Sequence, residues 1–112
     1  MWPNKLVQDT MLMAHNLNEN RSVRLKNLTW DHFPEFGGYE DLIESKMDKT
    51  VDMRKVELQI VSDYCCADTD MTWRLAWETH ANAPDDSVRL MRDLQIPQAV
   101  CFARMEQNGI LV

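Results

Sequence analysis

Tyr64 and Asp68 stand four residues apart in the stretch Asp63-Tyr64-Cys65-Cys66-Ala67-Asp68-Thr69-Asp70-Met71-Thr72-Trp73-Arg74-Leu75. On a helix that spacing brings a phenol and a carboxylate onto one face, one turn apart. Such a pair has a chemistry. The carboxylate takes a hard cation such as magnesium through oxygen, and the phenol orients a water for attack on a phosphodiester. Bare Tyr-x-x-x-Asp pairs are common, and the two residues equally suit the polar face of an ordinary helix. Asp70 falls about 200° further round the helix than Asp68, away from the pair.

The element that must carry the pair is easy to find. From Val56 to His80 there is no Gly or Pro, and Leu58, Val61, Cys65, Met71, Thr72 and Leu75 recur at helical spacing. This predicts the longest helix of the chain, over Leu58 to Trp77. Upstream, Leu6 to Gln8 reads as the one short strand. Asp9-Thr10 opens a helix with its side-chain oxygens as caps, and Met11, Leu12, Ala14 and His15 form its apolar stripe. Asn18 to Arg21 is a polar break. Ser22 is the expected N-cap of a second helix with Leu25, Leu28 and Phe33 inward, stopped by Pro34. A turn at Phe36-Gly37-Gly38-Tyr39 leads into a short helix to about Lys46, and Met47 to Asp52 reads as a polar loop. Downstream, Asn82-Ala83-Pro84 ends the long helix. Asp85-Asp86-Ser87 is the expected cap of a last helix, Val88 to Gln107, kinked at Pro97. Its expected apolar set is Leu90, Met91, Leu94, Val100, Phe102 and Met105. Asn108-Gly109 stops it.

Composition sets bounds on the rest. A chain of 112 residues holds one domain or part of one. Hydrophobic residues at 45% and charged residues at 27% suit a folded chain. The formal charge of −6 excludes a nucleic-acid binder that works by bulk electrostatics, though cations would offset carboxylates at a nuclease site. No apolar run is long enough to span a membrane, and Met1-Trp2-Pro3-Asn4 does not open a signal peptide. Three cysteines, two adjacent, make a poor disulfide framework and point to a reducing cytoplasm. They do not stand at zinc-ligand spacing. Arg21, Arg24 and Lys26 read as a solvated helix face, the Asp48 to Glu57 stretch as exposed, and Trp73 and Trp77 as packing against a core or a partner surface.

Tyr64-x-x-x-Asp68 followed by Asp70, Thr72 and Leu75 resembles the third exonuclease motif of the proofreading domain in family A DNA polymerases, the DNA polymerase I class. The resemblance implies that Asp68 binds metal and that Tyr64 positions the attacking water. It extends outwards in order. Asp9 to Leu12 and Leu17 to Asn20 resemble the step after the second exonuclease motif, and Val23 to Leu28 the next helix. Gly38-Tyr39-Glu40-Asp41 resembles an insertion of phage-type members, and Leu94 to Ile110 the helix that leads into the polymerase domain. The first motif, Asp-x-Glu, is absent. The second is imitated only by His15-Asn16 with Asn20 where its Asp belongs, so His15, Asn16 and Asp9 are read as structural.

The expected fold is therefore mainly α. It is the C-terminal helical part of an α/β ribonuclease H-like exonuclease fold with one short N-terminal strand. Residues 1–82 are expected to be the partial exonuclease domain, and residues 83–112 the connector into a polymerase domain. The resemblance implies a two-metal magnesium site with one ligand in this chain, Asp68. It implies a DNA 3′ end as substrate, and the missing exonuclease half and polymerase domain as partners. A second expectation, from a different class, is a small helical protein-interaction module that keeps the scaffold without catalysis.

Overall fold

A computed structural model describes residues 8–45 and 52–111, with the backbone alone at 42 and 43. These residues fold into α1 (Thr10–Leu17), α2 (Leu25–His32), α3 (Tyr39–Glu44), α4 (Leu58–Asn82), α5 (Asp85–Leu90) and α6 (Ile96–Asn108). There is no strand among them, so the fold is mainly α. Of the expected strand, residues 6 and 7 lie outside the described residues, as does the expected loop at 47–52 except Asp52, and Gln8 has no regular structure.

The 25-residue helix α4 is the spine, and α1, α2 and α3 pack on it. Its buried residues are Met71, Leu75 and Thr79. They recur every four positions and form one stripe. Thr79 tolerates burial because its hydroxyl donates to the Leu75 carbonyl at 2.6 Å. Much of the expected stripe is not core. Leu58 is 81% exposed, and Cys65 and Thr72 are exposed too. The amphipathic period sets a possible face, but neighbours decide which stretch of it is covered. Two clusters make the core. One is Ala14, Leu28 and Leu75, with Val23, Leu25 and Phe33 around them. The other is Met13, Met91 and Ile96, with Leu12, Ala83 and Val88. Burying a side chain such as Leu75 or Met91 contributes about 1.5–3 kcal/mol.

Helix ends follow local chemistry. Asp9 caps α1, its Oδ1 accepting from the N–H of Met11 at 2.9 Å and of Leu12 at 3.1 Å. On α1 the inward residues are Met13 and Ala14, not Met11 and His15, which are exposed. Ser22 does not cap α2. That helix starts at Leu25 without a side-chain cap, and Ser22 Oγ accepts only from the Arg24 N–H, at 3.4 Å. The last helix starts earlier than expected, at Asp85. Pro84 holds the N-cap position, and Asp85 and Asp86 lie in the first turn, where negative charge suits the helix dipole.

Pro97 is met by a wide turn, not by a break. Met91–Gln95 forms one π-helical turn between α5 and α6, with the Ile96 N–H bonded to the Met91 carbonyl. A proline in regular α geometry clashes with the carbonyl four residues back, here Asp93. A turn with i→i+5 bonding relieves that clash without ending the helix. Ile96 is buried, while Leu94, Phe102 and Met105 of the expected apolar set are exposed. Gly109 ends α6 at φ 68°, its N–H bonded to the Met105 carbonyl at 3.0 Å.

Candidate functional site

Tyr64 and Asp68 share α4 and are both half-buried. The structure adds two residues from α3 to them. The Tyr39 hydroxyl donates to Asp68 Oδ1 at 2.7 Å and stands 3.5 Å from Glu40 Oε1. Glu40 is only 9% exposed. The site is thus a phenol between two carboxylates, with the second phenol, Tyr64, one turn before Asp68.

The start of α3 is fixed by the two glycines before it. A Cβ on Gly37 would come within 2.2 Å of the Trp30 ring, so the indole lies directly against this turn. Gly38 takes φ +83°, a conformation that side chains rarely adopt. Lys26 of α2 pairs with Asp41 of α3 at the surface. The sequence holds no signal that links Tyr39 to Asp68, because the two lie 29 residues apart. The only local cue is that an acidic, aromatic segment follows the Gly-Gly turn.

The electrostatics are those of a crowded acidic site. Burial and the nearby Asp68 carboxylate push Glu40 above the usual range, partly offset by Lys26. Burial pushes both phenols up as well. For Tyr39 the hydrogen bond to Asp68 adds to it, and for Tyr64 the charges of Asp68 and Glu40 do. Both phenols stay protonated at neutral pH, and the Tyr39 hydroxyl acts as a donor to Asp68.

Asp68 carries one carboxylate for a cation, and its Oδ1 is already taken by Tyr39. Among the described residues no group of three or more His, Cys, Asp or Glu is placed to hold a metal ion. Magnesium needs near-octahedral oxygen coordination, and a two-cation centre needs several carboxylates. Asp68 is one of the several carboxylates that such a centre needs.

The remaining candidates have other roles. Asp70 turns away from the site, its Oδ2 accepting from Arg74 Nε at 2.9 Å. The same guanidinium lies 4.9 Å from the Phe36 ring centre. Arg21 pairs with Asp31, and Arg24 is exposed. Trp73 and Trp77 do not pack a core: they are 69% and 73% exposed. Together with Gln8, Val88 and Met91 they line a groove of about 380 Å³. No helix among the described residues is long and apolar enough to cross a membrane.

The chain is similar to the DNA polymerase I of Borreliella burgdorferi, at 28% identity over 104 residues. The match covers 91% of this chain and 11% of that protein's length. It omits only a short part of the chain, so it runs across Tyr39, Tyr64 and Asp68. No family model and no solved structure matches. At this distance the similarity supports a relation to a DNA polymerase I, and nothing finer.

Proposed function

We propose that the chain is the C-terminal half of the 3′–5′ proofreading exonuclease of a phage-like family A DNA polymerase, of ribonuclease H-like ancestry. Residues 1–82 belong to the exonuclease and residues 83–112 to the connector into a polymerase domain. Asp68 supplies one ligand of a magnesium site whose other ligands lie on polypeptide outside these 112 residues. Tyr64 orients the attacking water, the substrate is a DNA 3′ end, and the setting is the cytoplasm. One observation carries this reading. A phenol and a carboxylate lie a turn apart on a single helix, within a segment similar along most of its length to a DNA polymerase I.

The test is a chimaera in which these residues replace the corresponding segment of the polymerase they resemble. The expected result is magnesium-dependent 3′–5′ hydrolysis of single-stranded DNA by the chimaera and none by the chain alone. A well-folded chimaera that polymerises but does not hydrolyse would count against the reading. A second reading, a helical interaction module without catalysis, is favoured by the exposed Trp73 and Trp77. It predicts a stable monomer that needs no other half to melt sharply.

A further inference from the structure

We propose that Tyr39 is the positioning residue of Asp68: its hydroxyl fixes which way the carboxylate faces and leaves Oδ2 as the oxygen presented to a ligand. The proposal deepens the exonuclease reading and rests on it for the identity of that ligand. The hydrogen bond itself does not depend on that reading.

The geometry supports it in three ways. First, the contact is short, 2.7 Å from hydroxyl to Oδ1, and it joins two helices 29 residues apart in sequence. An aspartate side chain turns freely about two bonds, and a helix backbone alone does not choose among its rotamers. A charge-assisted bond from a fixed donor does choose. Second, the donor is itself held. Gly37 and Gly38 set the start of α3 against the Trp30 ring, and Asp41 in the same turn pairs with Lys26 of α2 at the surface. Third, Glu40 has the greater burial but lies further from the phenol, at 3.5 Å, so the hydroxyl is committed to Asp68.

A carboxylate that binds a cation commonly accepts a hydrogen bond through its other oxygen. Such outer partners orient the ligand, and their loss costs roughly 10–100-fold in metal affinity or activity. Tyr39 has that placement towards Asp68. Tyr64 lies one turn from Asp68 on the same helix, and the hydrogen bond to the carboxylate comes from Tyr39.

The measurement is the side-chain carboxyl carbon resonance of Asp68 in the carbon-13-labelled full chain, before and after Tyr39→Phe. Phe keeps the ring and removes only the hydroxyl. The expected result is a displaced Asp68 signal, with the signals of Asp70 and Asp85 unmoved. Tyr64→Phe should displace the Asp68 signal less than Tyr39→Phe does. An Asp68 signal that Tyr39→Phe leaves in place overturns the proposal, whatever the protein's function. If the signals of Asp70 and Asp85 move as far as that of Asp68, the substitution has disturbed the fold at large, and the positioning role is overturned in favour of a packing role.

The chimaera separates this proposal from the reading beneath it. There Tyr39→Phe should slow hydrolysis roughly tenfold and be partly rescued by excess magnesium, with the KM for the DNA strand unchanged. If Asp68→Asn abolishes hydrolysis and Tyr39→Phe does nothing, only the positioning role fails. If Asp68→Asn itself leaves hydrolysis intact, the exonuclease reading fails, while a displaced resonance still upholds the bond.

Discussion

Asn16 and Gln95 hold each other by two reciprocal amide hydrogen bonds. Asn16 Nδ2 donates to Gln95 Oε1 at 2.7 Å, and Gln95 Nε2 donates to Asn16 Oδ1 at 2.9 Å. The pair spans 79 residues and pins α1 to the π-helical turn before Pro97. It sits beside the Met13, Met91 and Ile96 cluster, so the chain closes on itself at this point by both apolar and polar contact. Asn16, which resembles part of a motif in sequence, has a structural role here.

Cutting this pair should be costly and non-additive. Asn16→Ala leaves both polar atoms of the half-buried Gln95 amide, Oε1 and Nε2, without partners, and should destabilise by about 1–3 kcal/mol. Gln95→Ala should cost a similar amount, and the double variant less than the sum of the two. Denaturant midpoints of the four proteins check this. Additive losses would mean that the two amides act separately.

Glu40 should make stability depend on pH. Its carboxyl is held above its ordinary value of 4.5 by burial and by the Asp68 charge, so the folded state keeps the proton more tightly than the unfolded state does. At about pH 4 both states are largely protonated and little stability is lost. As pH rises past the unfolded value and through the raised folded value, ionisation destabilises the fold and then the loss levels off. Glu40→Gln should therefore raise Tm at neutral pH and hardly change it at low pH. Equal effects at both pH values would show that Glu40 carries no such penalty.

The exposed indoles should govern self-association more than folding. Trp73 and Trp77 stand one turn apart, with Leu58 exposed further along the same helix. Replacing either indole with Ser should change stability by less than about 0.5 kcal/mol, as expected for exposed sites. Sedimentation should show the parent chain associating with rising concentration and the double variant remaining smaller. A parent chain that stays monomeric at high concentration would mean that this face needs no cover.

Much of this architecture is legible in the sequence, and the parts that are not have identifiable causes. The breaker-free run fixes the start of α4 at Leu58, while the helix continues past the expected end at Trp77 to Asn82, and Asp9, Pro34 and Gly109 mark helix ends because caps act locally. Inward faces are less legible. Met13 is buried and Met11 exposed because α1 packs against α4 and α5, a contact that its own eight residues do not encode. Pro97 announces a disturbance, but not that one π turn absorbs it. At the site, Tyr64 and Asp68 are visible through their spacing, whereas Tyr39 and Glu40 arrive from another helix. Their place depends on how Trp30 settles on the Gly37-Gly38 turn.

The most direct test of the account compares three single substitutions in the chimaera, read as the rate of magnesium-dependent 3′–5′ hydrolysis of single-stranded DNA. Asp68→Asn removes the charge of the proposed cation ligand and should bring the rate to background. Tyr64→Phe keeps that ligand and removes only a hydroxyl, so it should slow the reaction roughly 10–100-fold. Asp70→Asn should leave it within a factor of about two, since that carboxylate is turned to Arg74 and such exposed pairs contribute little. A chimaera in which Asp68→Asn retains the parent rate, or in which Asp70→Asn is as damaging as Asp68→Asn, would contradict the account.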